Sequence, residues 1–340
     1  MKKVVTIGGG TGSFTLLSGL KHYPIELSAI VSMTDDGGST GMLRDELGVL
    51  PPGDVRQCLV ALSESTEMLR KLMNYRFDQG GLSGHSFGNI FLSALEKITG
   101  SFAEGVGEAA KILNVKGSVI PVTATDTALK VKLTDGTILS GEHELNTSVK
   151  VRKTGIRRAF LEPKALANAE AVEKILSADL IVIGPGNHYC SIIPNLLVKG
   201  IPEAIQKSQA LVVYNCNLIN KRGHSDGYQL DDYVREIEKF LGKGRIDFVT
   251  YNTKKPAKKL IERYRVADGE LVRFAPEDMP KRTYRVLRAN LLNRRTVVFD
   301  GADKISTIRS FIRHDSEKLA KALVMLLELG EYESIVRDIV

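Results

Sequence analysis

The stretch Val4–Leu20, VVTIGGGTGSFTLLSGL, decides the fold because it joins an apolar run, a glycine turn and a helical pattern. Val4–Ile7 is short, apolar and followed by consecutive glycines, as is typical of a buried strand that leaves its sheet. Beyond the glycines, Phe14, Leu17 and Leu20 recur at the spacing of one helix face. The stretch predicts a strand, a tight turn and a helix, which open an α/β fold.

Similar apolar runs recur along the chain. Glu26–Val31 supplies a second strand, and the later runs, Asp179–Ile183, Ala210–Tyr214 and Ile246–Tyr251, are apolar throughout, as expected for strands covered on both faces. Helical patterns accompany them at Leu166–Leu176, Ser191–Gln206, Leu230–Leu241 and Pro256–Val266. This alternation predicts an open, mostly parallel sheet with helices on both sides.

Two segments depart from the alternation. Residues from about 63 to 113 hold helical patterns in series, which predicts a helical excursion. Residues from about 119 to 160 are β-rich and alternate in sidedness around Asp135-Gly136, a dipeptide favoured in hairpin turns. Because no Pro/Gly/Ser-rich linker interrupts the chain, we expect one large α/β domain over residues 1–340, ending in a helix capped by Asp315 or Ser316.

Composition narrows the class of protein. There is no apolar run of 18 residues, so we expect no membrane insertion, and the apolar run at the N-terminus is too short for a signal peptide. The three cysteines form no CxxC pair, which favours a cytoplasmic protein with buried thiols. The net charge of +7 lies within residues 251–300, but that block lacks interleaved stacking aromatics. We therefore interpret it as a solvated face and expect no nucleic-acid partner.

The glycine turn is the first candidate binding site. Gly9, Gly10, Thr11, Gly12 and Ser13 lie at the start of the predicted helix, where bare backbone amides attract anions and glycines let a phosphate approach. The dinucleotide fingerprint G-x-G-x-x-G is incomplete, because a serine stands at its last position. A turn without any ligand is the alternative. Glycine, asparagine and aspartate at the ends of other strands favour a ligand: Thr34–Gly38, Gly184–Tyr189 and Asn215–Asn217.

The segment Met33–Cys58, MTDDGGSTGMLRDELGVLPPGDVRQC, has little apolar periodicity and predicts a long functional loop. Asp35 and Asp36 are suited to accept from a ribose or to hold Mg²⁺ beside a diphosphate, and an Asx-turn is the alternative. Arg44 and Arg56 are suited to clamp a phosphate or a carboxylate, and a surface ion pair is the alternative for each. Asp54 follows a Pro-Pro-Gly stretch and is predicted to be a helix N-cap.

Gly84–Leu95, GHSFGNIFLSAL, predicts a helix with His85, Ser86 and Asn89 in its first turns. These side chains either face a ligand or cap the helix, and capping alone does not explain Asn89. The Gly-x-Ser-x-Gly pattern within this segment lacks the preceding strand of a hydrolase nucleophile elbow. No HxH or HxxxH spacing indicates a histidine metal site.

Taken together, these motifs resemble the YvcK/CofD-like family, and its YvcK branch most closely. The resemblance rests on Gly8–Leu20, Val31–Ser63, Gly84–Leu95, Ile183–Leu197, His224–Tyr228 and Ile312–Leu323, in the family's order. It implies a Rossmann-like three-layer α/β/α fold, a homodimer and a nucleotide-type ligand. The CofD branch transfers a phospholactyl group from a nucleotide-activated 2-phospholactate to a deazaflavin with Mg²⁺. The YvcK branch binds UDP-N-acetylglucosamine and supports growth and cell shape on gluconeogenic carbon.

The resemblance assigns site residues by position. Gly9–Ser13 would meet the nucleotide, Asp35 and Asp36 the diphosphate, and Gly184–Asn187 the opposite wall. The predicted ligand contacts are Gly9, Gly10, Thr11, Gly12, Ser13, Asp35, Asp36, Gly38, Arg44, Asn89, Gly184, Pro185, Gly186, Asn187 and Asn215, with Asp35 and Asp36 as Mg²⁺ ligands. Asn187-His188 departs from the Ser or Thr with Leu or Tyr that the family places after Gly-Pro-Gly.

Two functions remain open from the sequence. A regulator binds a nucleotide sugar without turnover and acts on a protein partner that the sequence does not identify. A phospholactyl transferase needs nearly the same residues, because phosphoryl transfer rests on positioning and charge stabilisation. Few aromatic residues near the motifs are available for a planar deazaflavin, which favours binding. An NAD-dependent oxidoreductase is disfavoured by the missing third glycine.

Overall fold

The computed structural model describes residues 1–267, 269–276, 281–293 and 312–337. Its main sheet has seven parallel strands in the order β10-β9-β8-β7-β1-β2-β3. The bounds of these strands are β1 Lys2–Gly8, β2 Ile25–Val31, β3 Ser118–Pro121, β7 Leu180–Ile183, β8 Leu211–Asn215, β9 Phe248–Asn252 and β10 Arg285–Ala289.

Helices flank this sheet and confirm the predicted α/β class. Within the described residues they are α1 Thr11–Leu20, α2 Gly38–Leu47, α3 Gly53–Leu62, α4 Glu67–Asn74, α5 Phe87–Thr99, α6 Phe102–Ile112, α7 Gly141–Thr147, α8 Val149–Thr154, α9 Ala169–Leu176, α10 Ile193–Leu197, α11 Ile201–Lys207, α12 Leu230–Leu241, α13 Lys258–Ala267 and α14 Ser316–Arg337. Asp315 accepts from the backbone of Lys318 at 3.1 Å, so it is the predicted cap of α14.

The strand order reverses beside β1. The chain runs from β1 outward to β2 and β3, and it later returns to β7, which pairs with the opposite side of β1. Ligands of open α/β sheets bind at such a reversal, outside the carboxyl ends of the strands. Here the reversal brings the glycine turn after β1 beside the Gly-Pro-Gly segment after β7.

The core follows from the apolar strands. All four residues of β7 are buried, as expected for a central strand covered on both faces. On α1, Leu16, Leu17 and Leu20 are buried, while Phe14 is exposed. Burial of this helix face fixes the glycine turn that precedes it.

A small antiparallel sheet forms the predicted β-rich insertion. Its strands are β4 Ala128–Leu133, β5 Ile138–Ser140 and β6 Ile156–Glu162, in the order β5-β4-β6, and α7 and α8 lie between β5 and β6. The hairpin at Asp135-Gly136 joins β4 to β5, as the sequence predicts. Val119 does not belong to this insertion, because β3 pairs in parallel with β2 of the main sheet.

Two local predictions were wrong. The expected long loop contains the helix α2, which buries only Ser39, Thr40 and Leu43 and ends at the left-handed Gly48. Its buried face is mostly polar, so the sequence carries no apolar period there. The expected continuous helix Ser191–Gln206 consists of a π-helical turn, α10 and α11.

No helix within the described residues is long and apolar enough to cross a membrane.

Two glycines inside helices provide a matched test of the packing. A Cβ on Gly19 would meet the Ser316 carbonyl oxygen and come within 2.9 Å of Ala320 Cβ, whereas Gly107 has open space around it. We expect Gly19→Ala to lower the free energy of unfolding by about 1–3 kcal/mol through overpacking of α1 against α14. Gly107→Ala should raise it by about 0.5–1 kcal/mol through helix propensity. Urea unfolding measures both, and equal effects would contradict the packing of α1 on α14.

Candidate functional site

The site lies where the turn after β1 meets the segment after β7. Asn195 Nδ2 donates to the Gly8 carbonyl at 3.0 Å, which ties the two together. A Cβ on Gly12 would collide with the Pro185 carbonyl oxygen, and one on Gly9 would lie 2.7 Å from Ser191 Cβ. Glycine is therefore required here for close approach of two backbone segments.

Asp54 contacts the glycine turn and is not a helix cap. The N-cap of α3 is Pro52, and no side chain caps this helix. The Gly10 backbone N–H donates to the Asp54 carboxylate. A Cβ on Gly9 would lie 2.6 Å from Asp54 Oδ2, so the carboxylate packs directly on the turn. The N-cap prediction was wrong because the Asp54 side chain packs against the turn after β1 and not against the first turn of α3.

Asp35 forms the Asx-turn that was the alternative prediction for this residue. Its second carboxylate oxygen nevertheless lies beside the start of α3. Its Oδ1 accepts from the Gly37 backbone at 3.0 Å. A Cβ on Gly53 would lie 2.6 Å from Asp35 Oδ2. The same Cβ would lie 2.6 Å from Thr40 Oγ1. The two interpretations of Asp35 are therefore compatible, because the two carboxylate oxygens have different surroundings.

Asp36 connects the site to the β-rich insertion. Its Oδ1 accepts from the His143 backbone N–H at 2.9 Å, in the first turn of α7. The chain passes so close that a Cβ on Gly141 would collide with Asp36 Oδ2. This contact brings Glu142 into the site, where Thr34 Oγ1 donates to Glu142 Oε1 at 3.3 Å.

Glu142 is a site residue that the sequence reasoning missed. It is separated from Thr34 by 108 positions, and nothing local marks it among the carboxylates of Gly141–Thr147. Only the docking of α7 on Asp36 shows that it belongs with the strand ends.

The electrostatics of the carboxylates are unfavourable in the absence of a cation. Burial raises the pKa of Asp54 to about 8, and the neighbouring Asp35 charge adds to the rise. Burial likewise raises the pKa of Asp35, against the effect of its backbone hydrogen bond. Burial and the charges of Asp35 and Asp54 hold the pKa of Glu142 well above its ordinary value. All three residues are partly buried, so they lie at the margin of the core.

The two arginines of the long segment bind protein groups. Arg44 pairs with Asp126 and donates to the Thr127 carbonyl at 3.1 Å. Arg56 is buried, and its Nε donates to Asn89 Oδ1 at 2.9 Å. Its charge opposes the rise in the pKa of Asp54, but less strongly than burial and Asp35 promote it.

Several predicted ligand contacts are occupied within the protein. Asn89 is buried, and its Nδ2 donates to Ser39 Oγ at 3.2 Å. Ser13 is also buried and hydrogen-bonds with Cys58 beneath the turn. Thr11 Oγ1 donates to Gln57 Oε1 at 3.2 Å. Gly38 adopts a φ of +47° at the start of α2. The contacts of Asn89 and Ser13 place both residues in a supporting position. Direct ligand contact by Asn89, Ser13, Thr11 or Gly38 stays a prediction.

The Gly-Pro-Gly wall is held by asparagines behind it. Asn215 is fully buried and donates to the Gly184 carbonyl at 3.1 Å, and Asn217 donates to the Gly186 carbonyl at 2.9 Å. Asn187 Oδ1 accepts from the Cys190 backbone at 3.3 Å and so caps the π-helical turn. These contacts fix Pro185 between two anchored carbonyls.

His188 departs from the family pattern and lies in a tyrosine cluster. Its ring centroid is 5.0 Å from that of Tyr189 and 5.1 Å from that of Tyr233, with edge-on geometry. Neither ring nitrogen has a hydrogen-bond partner among the residues that the structure describes. Burial lowers the pKa of His188 to about 3, helped by His224 and Lys239. His188 therefore acts as an apolar filler behind the wall.

A divalent cation fits the carboxylates in part. No group of three or more His, Cys, Asp or Glu side chains in the described ranges is arranged to hold a metal ion. Mg²⁺ is usually bound by one or two carboxylates together with phosphate oxygens and water, so a complete protein cage is not required. Both carboxylate oxygens of Asp36 lie against the first turn of α7, whereas Asp54 lies against the glycine turn and interacts with Asp35, so Asp35 and Asp54 are the pair that would hold a cation.

Comparison with known proteins identifies the family. The family model described as 2-phospho-L-lactate transferase CofD matches residues 4–292. The chain belongs to the CofD family. It is 38% identical to the gluconeogenesis factor of Bacillus subtilis over 96% of this chain and 98% of that protein. It is 48% identical to the gluconeogenesis factor of Halalkalibacterium halodurans over 72% of this chain and 76% of that one.

A solved structure confirms the fold. The crystal structure of a UPF0052 family member from Bacillus halodurans superposes with a TM-score of 0.87 and 38% identity, covering 95% of this chain and 99% of that chain. The CofD-family chain thus has the Rossmann-like α/β architecture that the motifs imply.

Asp54→Asn should stabilise the protein in EDTA-containing buffer. The folded pKa of about 8 exceeds the unfolded value near 4, so stability is lost as the pH rises through the folded pKa. We expect a gain of at least about 1 kcal/mol at pH 9 and a smaller gain at pH 6. This figure is well below the energy of the full pKa shift, because Asp54 is a partly exposed residue.

Urea unfolding at the two pH values measures this effect. Asp45→Asn on the exposed face of α2 is the control and should change stability by less than about 0.5 kcal/mol. An equal gain at both pH values would contradict the electrostatic account of Asp54.

His188→Phe should remove a source of acid sensitivity. Because the folded pKa of about 3 lies below the unfolded value near 6.5, the unfolded chain binds the extra proton and wild-type stability falls below pH 6.5. The difference in free energy of unfolding between variant and wild type should be about 2 kcal/mol more in the variant's favour at pH 5 than at pH 7.5. Thermal and urea unfolding test this, with exposed His22→Phe as the control. A pH-independent difference would refute the neutral buried state of His188.

Proposed function

We propose that this CofD-family protein is a cytoplasmic regulator that binds UDP-N-acetylglucosamine or a related nucleotide sugar without consuming it. Its role would be that of a gluconeogenesis factor, required for growth and cell shape on gluconeogenic carbon. The relatives in Bacillus subtilis and Halalkalibacterium halodurans are named gluconeogenesis factors, which supports the gluconeogenic part of this role.

One observation carries the ligand class. Asp35, Asp54 and Glu142 converge beside the glycine turn at the strand-order reversal, and each carboxyl has a raised pKa. Such a cluster is relieved by a divalent cation, and a cation so held attracts a diphosphate. The Cβ directions of Gly9, Gly10 and Gly12 are filled by Asp54, Ser191 and the Pro185 carbonyl, so the diphosphate would approach through the cation held by the carboxylates.

Mg²⁺ has a defined part in this proposal. Asp35 and Asp54 would hold it, and it would neutralise diphosphate charge when bound. The chain's own residues do the rest. The glycine turn and the Gly184–Asn187 wall would bound the ligand crevice of this proposal, and the hydrogen bond between the buried Arg56 and Asn89 joins α3 to α5.

The aromatic residues near the motifs favour binding over transfer to a flavin. Tyr189 and Tyr214 are buried, and Phe87 stacks on Phe91 with centroids 6.2 Å apart. They are committed to packing, so none of them presents an open platform for a planar acceptor.

The alternative is a 2-phospho-L-lactate transferase, which the family match favours. In that reaction an acceptor hydroxyl attacks the phosphorus of the nucleotide-activated phospholactate. A new P–O bond forms, the bond to the nucleoside monophosphate breaks, and the hydroxyl proton is released. The same crevice would then bind the donor.

A homodimer and a regulated protein partner complete the proposal. Both follow from the family resemblance, and light scattering of the purified protein tests the first.

Calorimetric titration with UDP-N-acetylglucosamine, with and without Mg²⁺, tests the proposed function. We expect micromolar or tighter binding with Mg²⁺ and recovery of the intact ligand by chromatography. Asp35→Asn should weaken Mg²⁺-dependent binding at least tenfold, about 1.4 kcal/mol, because it removes a carboxylate charge from the cation. Asp45→Asn on the exposed face of α2 is the control.

Two results would overturn the regulator proposal. The absence of heat with the nucleotide sugar would exclude that ligand. Turnover of guanosine-linked phospholactate with a deazaflavin acceptor would identify the transferase instead.

A further inference from the structure

A cavity of about 770 Å³ opens at the carboxyl ends of β8, β9 and β10. Its volume is within the range of pockets that bind nucleotide-sized ligands, roughly 300–1,000 Å³. The segment after β9 forms one side, and residues 269–274 form another. That second segment is fixed over the strand ends, because Val272 N donates to the Leu218 carbonyl at 3.2 Å and Tyr251 OH donates to the Val272 carbonyl at 3.1 Å.

The cavity wall offers an aromatic surface with cations beside it. Tyr251 and Phe274 have centroids 5.1 Å apart, and the Arg288 guanidinium lies 5.3 Å from the Phe274 centroid. On the same ring, Arg282 lies at 4.8 Å and is anchored by a two-pronged contact to Asp231 at 2.6 Å. Tyr251 and the two guanidinium groups already contact the Phe274 ring, so a flat heteroaromatic ring would stack on the planar guanidinium of Arg288, which also lines the cavity.

Two lysines at the rim are available for an anion. Asn252 holds their turn, since its Nδ2 donates to the Lys254 carbonyl at 2.7 Å and its Oδ1 accepts from the Leu291 backbone at 3.0 Å. Across the described residues, Lys254 and Lys255 make no ion pair, while the cavity's carboxylate, Glu270, is already paired with Arg273. The described residues at the rim therefore carry an excess of positive charge, which favours phosphate.

One residue connects the cavity to the candidate site. Asn217 lines the cavity and donates to the Gly186 carbonyl of the Gly-Pro-Gly wall at 2.9 Å. From β9 to β2 there are four strand spacings, roughly 19 Å at about 4.8 Å each. That span suits a nucleoside diphosphate carrying a further group, with its phosphates at the β7–β1 reversal.

We propose that this cavity receives the base and ribose of the nucleoside diphosphate, with the phosphates running past Gly186 toward Asp35 and Asp54. This inference rests on the proposed function and adds the direction of the ligand. The base would stack on the Arg288 guanidinium beside the Tyr251–Phe274 wall, and Lys254 and Lys255 would contact the α-phosphate or the ribose.

A fluorescent reporter tests this directly because the chain contains no Trp. In Phe274→Trp the single indole would lie in the cavity wall. Phe160→Trp on β6 is the matched control, since Phe160 is also partly buried and has an arginine, Arg158, 5.3 Å from its ring centroid. Both variants are titrated with UDP-N-acetylglucosamine and with GDP in the presence of Mg²⁺, and circular dichroism checks that each is folded.

We expect the fluorescence of Phe274→Trp to change with the dissociation constant that calorimetry gives for the same variant, and Phe160→Trp to stay constant. A second pair of variants measures affinity. Lys254→Ala/Lys255→Ala should weaken binding about tenfold, whereas Lys258→Ala/Lys259→Ala, which removes the same charge from exposed positions nearby, should change it less than about twofold.

The outcomes separate the two proposals. Calorimetric binding to wild type without a fluorescence change at residue 274, and with equal affinities of the two lysine variants, would overturn the cavity assignment and leave the proposed function intact. Failure of wild type to bind either nucleotide would overturn both. A response to nucleotide that persists in Asp35→Asn but is lost in Lys254→Ala/Lys255→Ala would support the assignment of the base to the cavity.

Discussion

The lack of side chains at the turn after β1 is the constraint on which the site depends. Gly9, Gly10 and Gly12 allow the turn to touch Ser191, Asp54 and the Pro185 carbonyl, contacts that a Cβ would prevent. The strand-order reversal, the Gly-Pro-Gly wall and α3 can therefore meet at one point. A larger residue there would separate the elements that form the crevice.

The carboxylates at this point work against folding. Burial and mutual repulsion raise the pKa values of Asp35, Asp54 and Glu142, and Arg56 offsets this only in part. Natural proteins keep such destabilising groups where function needs them. Buried hydrogen bonds hold the surrounding helices in place. Arg56 of α3 donates to Asn89 of α5, and Asn89 donates to Ser39 of α2.

The insertion is coupled to the site from both sides of the crevice. Asp36 binds the first turn of α7, and His224 Nε2 lies 3.2 Å from the Leu145 carbonyl in the same helix. The segments after β2 and β8 are thereby joined through α7. Asp36 therefore has a structural role in docking α7, whereas its neighbour Asp35 is left for the proposed ligand crevice.

The sequence by itself determined the α/β class, the strands and the glycine turn, because apolar runs and glycines act over a few residues. It also predicted the hairpin at Asp135-Gly136 and the cap at Asp315, which are local structures. Only the tertiary structure showed that α2 forms with a mostly polar buried face. It also showed that Asp54 accepts a hydrogen bond from Gly10 instead of capping α3, and that Glu142 lies near Asp35. These features arise from contacts between segments far apart in the chain, and no local period or turn signal encodes such contacts.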